Sequence, residues 1–136
     1  MPSWTLPAFI AFATWGLWAL LPKITTGLID PRSVLFYQAL GAFLTALAVL
    51  ATIGFRPMVD ARAVPLALLT GALGMAGGLA YLYAISRGPA SLVAVVTALY
   101  PLLTVALAHF FLGEHVSPRQ WAGIGLGLVS LALIVG

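Results

Sequence analysis

Apolar runs of about twenty residues follow one another along the whole chain, separated only by short polar breaks. That length is what a helix needs to cross about 30 Å of hydrocarbon at about 1.5 Å per residue. A membrane strand needs only about ten residues, alternating apolar with polar, so strands are rejected. The breaks place helices at about 4–28, 33–53, 62–86, 90–112 and 118–136. The fold class is therefore an all-α integral membrane bundle of five transmembrane helices, a single domain over 1–136. With 62% hydrophobic and 7% charged residues among 136, no soluble domain is left over. The first run lacks a basic n-region and a small-residue cleavage site, so it reads as a retained helix. Met1 and a full last helix point to a whole chain rather than a fragment.

The breaks carry stop and start signals. Asp30 and Pro31 suit the entry to the second helix, and Asp60 suits the cap of the third. Arg87, Gly88 and Pro89 form a minimal break, which makes the third and fourth helices an antiparallel hairpin. Gly113 suits the end of the fourth helix. Ser117 to Gln120 spells a capping box with proline at the first helical position.

Several chemistries are excluded by composition. The chain has no cysteine, hence no disulfide, thiolate ligand or cysteine nucleophile. Six scattered basic residues do not make a nucleic-acid surface. Asp30, Asp60 and Glu114, the only acids, sit at helix ends, so a carboxylate proton relay is unsupported. No nucleophile has a base and an orienting group, and the two histidines build no metal site. The expectation is no catalytic residue, no metal and no cofactor.

Polar groups inside the bilayer are costly and usually face a bundle interior or a wet cavity. On the first helix Trp15 and Trp18 share a side with Thr14 and Pro22, and Pro22 has no N–H for the carbonyl of Trp18. Lys23 follows; it either snorkels to the headgroups or enters the cavity. Tyr37, Gln38, Gly41 and Thr45 form a stripe on the second helix, where the amide of Gln38 needs partners or water. On the fourth, Thr97, Tyr100, Pro101 and Thr104 align, and Pro101 releases the carbonyl of Thr97. Tyr81 shares the glycine face of the third helix, whereas Tyr83 and His109 read as interfacial. The candidate substrate cavity is thus Trp15, Trp18, Lys23, Tyr37, Gln38, Tyr81, Thr97, Tyr100, Pro101 and Thr104.

Small residues mark where helices can touch, because lipid supplies no hydrophobic drive between them. Gly71, Gly74 and Gly78 on the third helix read as packing within the bundle. Gly123, Gly127 and Ser130 on the last helix read as a dimer interface. Arg56, Arg62 and Arg119 fall on the membrane side of the N-terminus, and Lys23, Arg32 and Arg87 on the other. A balance of three against three gives the positive-inside rule nothing to act on. It arises either by chance or because copies insert both ways and pair as an antiparallel homodimer.

These motifs resemble the EamA family of the drug/metabolite transporter superfamily over essentially the whole chain. Trp15 and Gly16 look like the Trp-Gly pair of that family's first helix. Residues 77–88, GGLAYLYAISRG, are similar to its third helix and following loop, and 89–112, with Pro101, to the next. Leu112, Gly113 and Glu114 match a Leu-Gly-Glu signature, and 121–136 resembles the glycine-rich last helix. The resemblance implies half of a ten-helix, inverted-repeat transporter of small metabolites, hence two copies working together. Gln38 stands where relatives often carry arginine, which removes the basis for inferring an anionic substrate. The first-helix glutamate of the small multidrug resistance exporters is absent. The implied function is alternating-access transport of a small polar metabolite by a dual-topology homodimer in a bacterial or archaeal inner membrane. The other classes are a non-transporting assembly module and one half of a heteromeric transporter.

Overall fold

A computed structural model describes residues 3–135. Among these the regular structure is helical: α1 (Thr5–Thr25), α2 (Pro31–Thr52), α3 (Ala63–Arg87), α4 (Ala90–Thr97), α5 (Tyr100–Leu112) and α6 (Pro118–Val135). Four stretches are long and apolar enough to cross a membrane: α1, α2, α3, and α4 with α5 taken together as Ala90–Leu112. At 18 residues, α6 spans roughly 27 Å. Gly136, which closes the expected last helix, lies outside the described residues.

The helix ends follow the chemistry of their residues. Asp30 accepts from the backbone N–H groups of Arg32 and Ser33 at 2.9 and 3.2 Å, with Pro31 opening the helix behind it. Asp60 accepts from the N–H groups of Arg62 and Ala63 at 2.9 and 2.8 Å. Hydrogen bonds from Ser33, side chain first, hold the Asp30 carboxyl below the usual carboxylate value, and those from Ala63 and Arg62 do the same for Asp60. Gly113 ends α5 at φ 68°, a left-handed conformation that a Cβ would strain. The capping box is present: the Ser117 N–H donates to Oε1 of Gln120 at 2.7 Å, and the Gln120 N–H to Oγ of Ser117 at 3.4 Å.

Two boundaries differ from the sequence reading. The first helix ends at Thr25 rather than near Leu28, because the Gly27 N–H turns back to the Ile24 carbonyl and the Leu28 N–H to that of Thr25. The fourth crossing is not one helix. It breaks at Ala98 and Leu99, where the Leu99 N–H reaches the carbonyl of Val96 and the Leu102 N–H that of Leu99, a tighter i to i+3 pattern. Pro101 has no N–H to offer Thr97 and so removes the bond that would have carried one helix through.

The chain divides into two units, Met1–Arg87 and Gly88–Gly136. In the first, α3 packs on both α1 and α2. Tyr81 pairs with Ala19 and Ile85 with Lys23, so α1 and α3 run parallel. Gly78 faces Leu35 and Tyr83 faces Arg32, so α2 runs against them. All these ties fall within the last two turns of α1, the first turns of α2 and the last three turns of α3. The buried residues Pro22, Val34, Tyr81, Leu82 and Ile85 fall there as well. The three helices are gathered at the membrane face opposite the N-terminus, called the far face below. In the second unit α4 packs on α6. A Cβ on Gly127 would come within 2.9 Å of a methyl of Leu102 and would require that side chain to shift.

Leu82 and Ile85 have no exposed surface, so shortening either leaves a hole that the gathered ends cannot fill. Leu82→Ala is expected to cost about 2 kcal/mol or more. Leu73→Ala, at an exposed α3 position, is expected to change little. Melting of the purified variants in one detergent checks both.

Candidate functional site

Away from the gathered ends, residues of α1 and α2 line an open cleft of about 890 Å³. It is a groove open along its length rather than an enclosed cavity. From α1 come Thr14, Trp15 and Trp18; from α2 come Ala42, Thr45, Ala46, Val49, Leu50 and Ile53. The α2 set recurs every three or four residues, which keeps it on one stripe. Extended one turn toward the far face the stripe reaches Gln38, and one turn further it reaches buried Val34.

The cleft closes where Trp18 stacks on Tyr81, their ring centroids 5.5 Å apart and planes 23° from parallel. The Tyr81 hydroxyl donates to the Ala19 carbonyl at 2.7 Å. One tyrosine thus holds the indole by its ring and the α1 backbone by its hydroxyl. Beyond it, Nζ of Lys23 donates to the carbonyl of Ile85 at 3.0 Å.

The lining carries no ionisable side chain. Its two hydroxyls already donate to their own helix, Thr14 to the carbonyls of Ile10 and Ala11 at 2.9 and 3.0 Å, Thr45 to that of Gly41 at 2.9 Å. They offer lone pairs, and the tryptophans offer aromatic faces and indole N–H donors. Such a wall suits an uncharged or internally neutralised solute with an apolar part. An isolated charge would lose its hydration without a partner.

The sequence-derived candidates distribute unevenly. Trp15 and Trp18 line the cleft, Tyr81 backs it and half-buried Gln38 lies one turn above it. Lys23 ties α1 to the end of α3 instead of lining the cleft. Tyr37 is exposed, edge-on to Phe36. Thr97, Tyr100, Pro101 and Thr104 belong to the second unit and are exposed there; Thr97 donates to the Val93 carbonyl at 2.8 Å and Thr104 to that of Tyr100 at 3.4 Å. Among the glycines, Gly78 meets Leu35 and Gly127 meets Leu102, whereas added Cβ atoms at Gly71, Gly74 and Gly123 would meet nothing. Close packing therefore appears on both glycine-bearing helices rather than on the third alone. Ser130 is exposed. His109, read as interfacial, donates from Nδ1 to the carbonyl of Glu114 at 2.8 Å and lies edge-on to Trp121.

The apolar cleft residues of α2 escaped the sequence reading, which searched for polar side chains. The signal was present as the repeat of small and branched residues on the Gln38 stripe. Tyr83 was read as a belt residue; it also accepts from Nε of Arg32 at 2.9 Å, and the Arg87 guanidinium lies 5.5 Å from its ring centre.

Over residues 2–136 the chain matches the EamA-like transporter family. A 77-residue segment is 31% identical to Uncharacterized protein MJ1333.1 of Methanocaldococcus jannaschii, covering 57% of this chain and 56% of that relative. The match thus spans little more than half of the relative, and the two shares imply chains of nearly equal length. No solved structure matches. With four apolar membrane-spanning stretches and a family match across nearly every residue, the chain belongs to the EamA-like transporter family as an integral, multi-pass membrane protein.

Proposed function

We propose that this chain carries a small neutral or zwitterionic metabolite across the membrane as an antiparallel homodimer, with the α1–α2 cleft as its share of the substrate path. The carrying observation is the cleft itself, gathered at one end, open along the rest and walled by two tryptophans without a charge. Gln38 supports the reading, since its amide has no partner among the described residues and lies on the cleft stripe. An assembly module with a dry, packed core would instead bond it internally.

The shape suggests how access alternates. In an inverted pair, the gathered end of one copy shares a membrane face with the open end of the other. Opening one cleft while pinching its partner then exposes a common cavity to one face at a time, which is the rocking that inverted repeats permit. A fifth crossing by α6 completes the repeat, and exposed Gly123 and Ser130 are available for contact between copies.

Two measurements test this. In a melting screen of purified protein against neutral and zwitterionic amino acids, nucleosides and sugars, a stabilising solute is expected to bind about tenfold more weakly to Trp15→Ala. Trp121→Ala, in the second unit, is expected to bind it normally. Equal binding to all three proteins would remove the cleft from the path. For orientation, the cysteine-free chain permits single-cysteine labelling at Met58 and Leu28, 99% and 78% exposed in the loops after α2 and α1. An impermeant maleimide added outside intact cells is expected to label comparable fractions of Met58→Cys and Leu28→Cys. Labelling of one variant alone contradicts insertion in both directions.

A further inference from the structure

The cations of the far face are not scattered as the sequence suggested. Lys23 in the last turn of α1, Arg32 in the first turn of α2 and Arg87 at the end of α3 all converge on the final turns of α3. Tyr83 joins two of them, accepting from Nε of Arg32 at 2.9 Å and lying under the Arg87 guanidinium at 5.5 Å. Two residues on, the Ile85 carbonyl accepts from Nζ of Lys23 at 3.0 Å. All three lie within about one turn of a helix end, which is headgroup depth for helices that span the bilayer.

How the arginines are held matters more than their number. Arg32 is fixed through Nε, so both terminal amino groups of its fork remain for another acceptor. The Arg87 guanidinium lies over the Tyr83 ring, 5.5 Å from its centre, and makes no side-chain hydrogen bond among the described residues, so its N–H donors remain for another acceptor. Both side chains are exposed. The acid at this face, Asp30, spends its carboxylate on the Ser33 hydroxyl and on the N–H groups of Arg32 and Ser33. Three cations against one carboxylate leave a positive site, pre-oriented at low entropic cost and built for the paired oxygens of a phosphate.

We propose that Arg32 and Arg87, with Lys23 behind them, bind the phosphate of an anionic phospholipid headgroup at the far face. The bound lipid bridges the ends of α2 and α3 and so braces the gathered end of the helices. This site lies apart from the cleft and stands whether or not the cleft carries a solute.

The test uses full-length protein in a neutral detergent, with melting followed during titration by dioctanoyl phosphatidylglycerol, dioctanoyl phosphatidylcholine or inorganic phosphate. Phosphatidylglycerol is expected to raise the melting temperature and phosphatidylcholine to leave it nearly unchanged. In Arg32→Gln/Arg87→Gln the apparent affinity for phosphatidylglycerol is expected to fall about 30-fold. In Arg56→Gln/Arg62→Gln, which removes two cations from the opposite face, it should stay the same. Tyr83→Phe, which removes the acceptor for Arg32 but keeps the ring under Arg87, should give an intermediate loss; it supplies the reading if the double arginine variant does not fold. Equal stabilisation by inorganic phosphate would keep the site and assign it to a soluble phosphate. Equal effects of the two lipids, or an undiminished response in both the double arginine and Tyr83→Phe variants, would overturn the proposal.

Discussion

The first three helices depend on their attachment at one end. Around Tyr81 an aromatic stack, a hydroxyl-to-carbonyl bond and the buried side chains of Leu82 and Ile85 fall within about one turn of α3. In hydrocarbon these terms carry unusual weight, because packing and interhelical hydrogen bonds replace the hydrophobic drive that water would supply. Lys23 and Arg32 add polar ties just beyond, where three helix ends meet the headgroups. Away from that attachment, Thr14, Trp15 and Trp18 of α1 and the Ala42–Ile53 stripe of α2 border an open groove.

That arrangement connects packing to function. Under the proposed function, the end tied through Trp18 and Tyr81 would be the pivot and the remaining halves of α1 and α2 the moving parts. The groove wall is mostly apolar, and its indoles and hydroxyl lone pairs are the polar groups that the proposed solute would meet. The extensive exposed surface of the remaining helices is ordinary for a membrane protein, since lipid tails cover it at little cost.

The crossings were legible because the run length that crosses a bilayer is fixed by backbone geometry, and the caps at Asp30, Asp60 and Ser117 were legible because each needs a particular side chain beside a particular N–H. Pro101 signalled disruption of the fourth crossing, but the break fell at Ala98 and Leu99, since the helix lost its hydrogen bond upstream of the proline. The candidate site was half legible. Trp15, Trp18 and Tyr81 announced themselves by chemistry. Ala42, Ala46, Val49 and Ile53 did not, because an apolar residue looks the same in sequence whether it faces lipid, a neighbouring helix or a cleft. Lys23 shows the reverse: its charge suggested a cavity or the headgroups, and nothing in the sequence announced the Ile85 carbonyl in α3 to which its ammonium donates.

The most direct test of the one-ended architecture is a pair of spin-label distances in lipid nanodiscs, which the absence of native cysteine makes accessible. Labels at Ile24 and Phe36 report the gathered ends of α1 and α2, and labels at Phe12 and Val49 report the halves that border the cleft. The account predicts one narrow distance for the first pair, unchanged by any bound solute, and a broad distribution for the second that shifts when solute binds. Equally broad distributions at both ends, or equal shifts in both on binding, would contradict it.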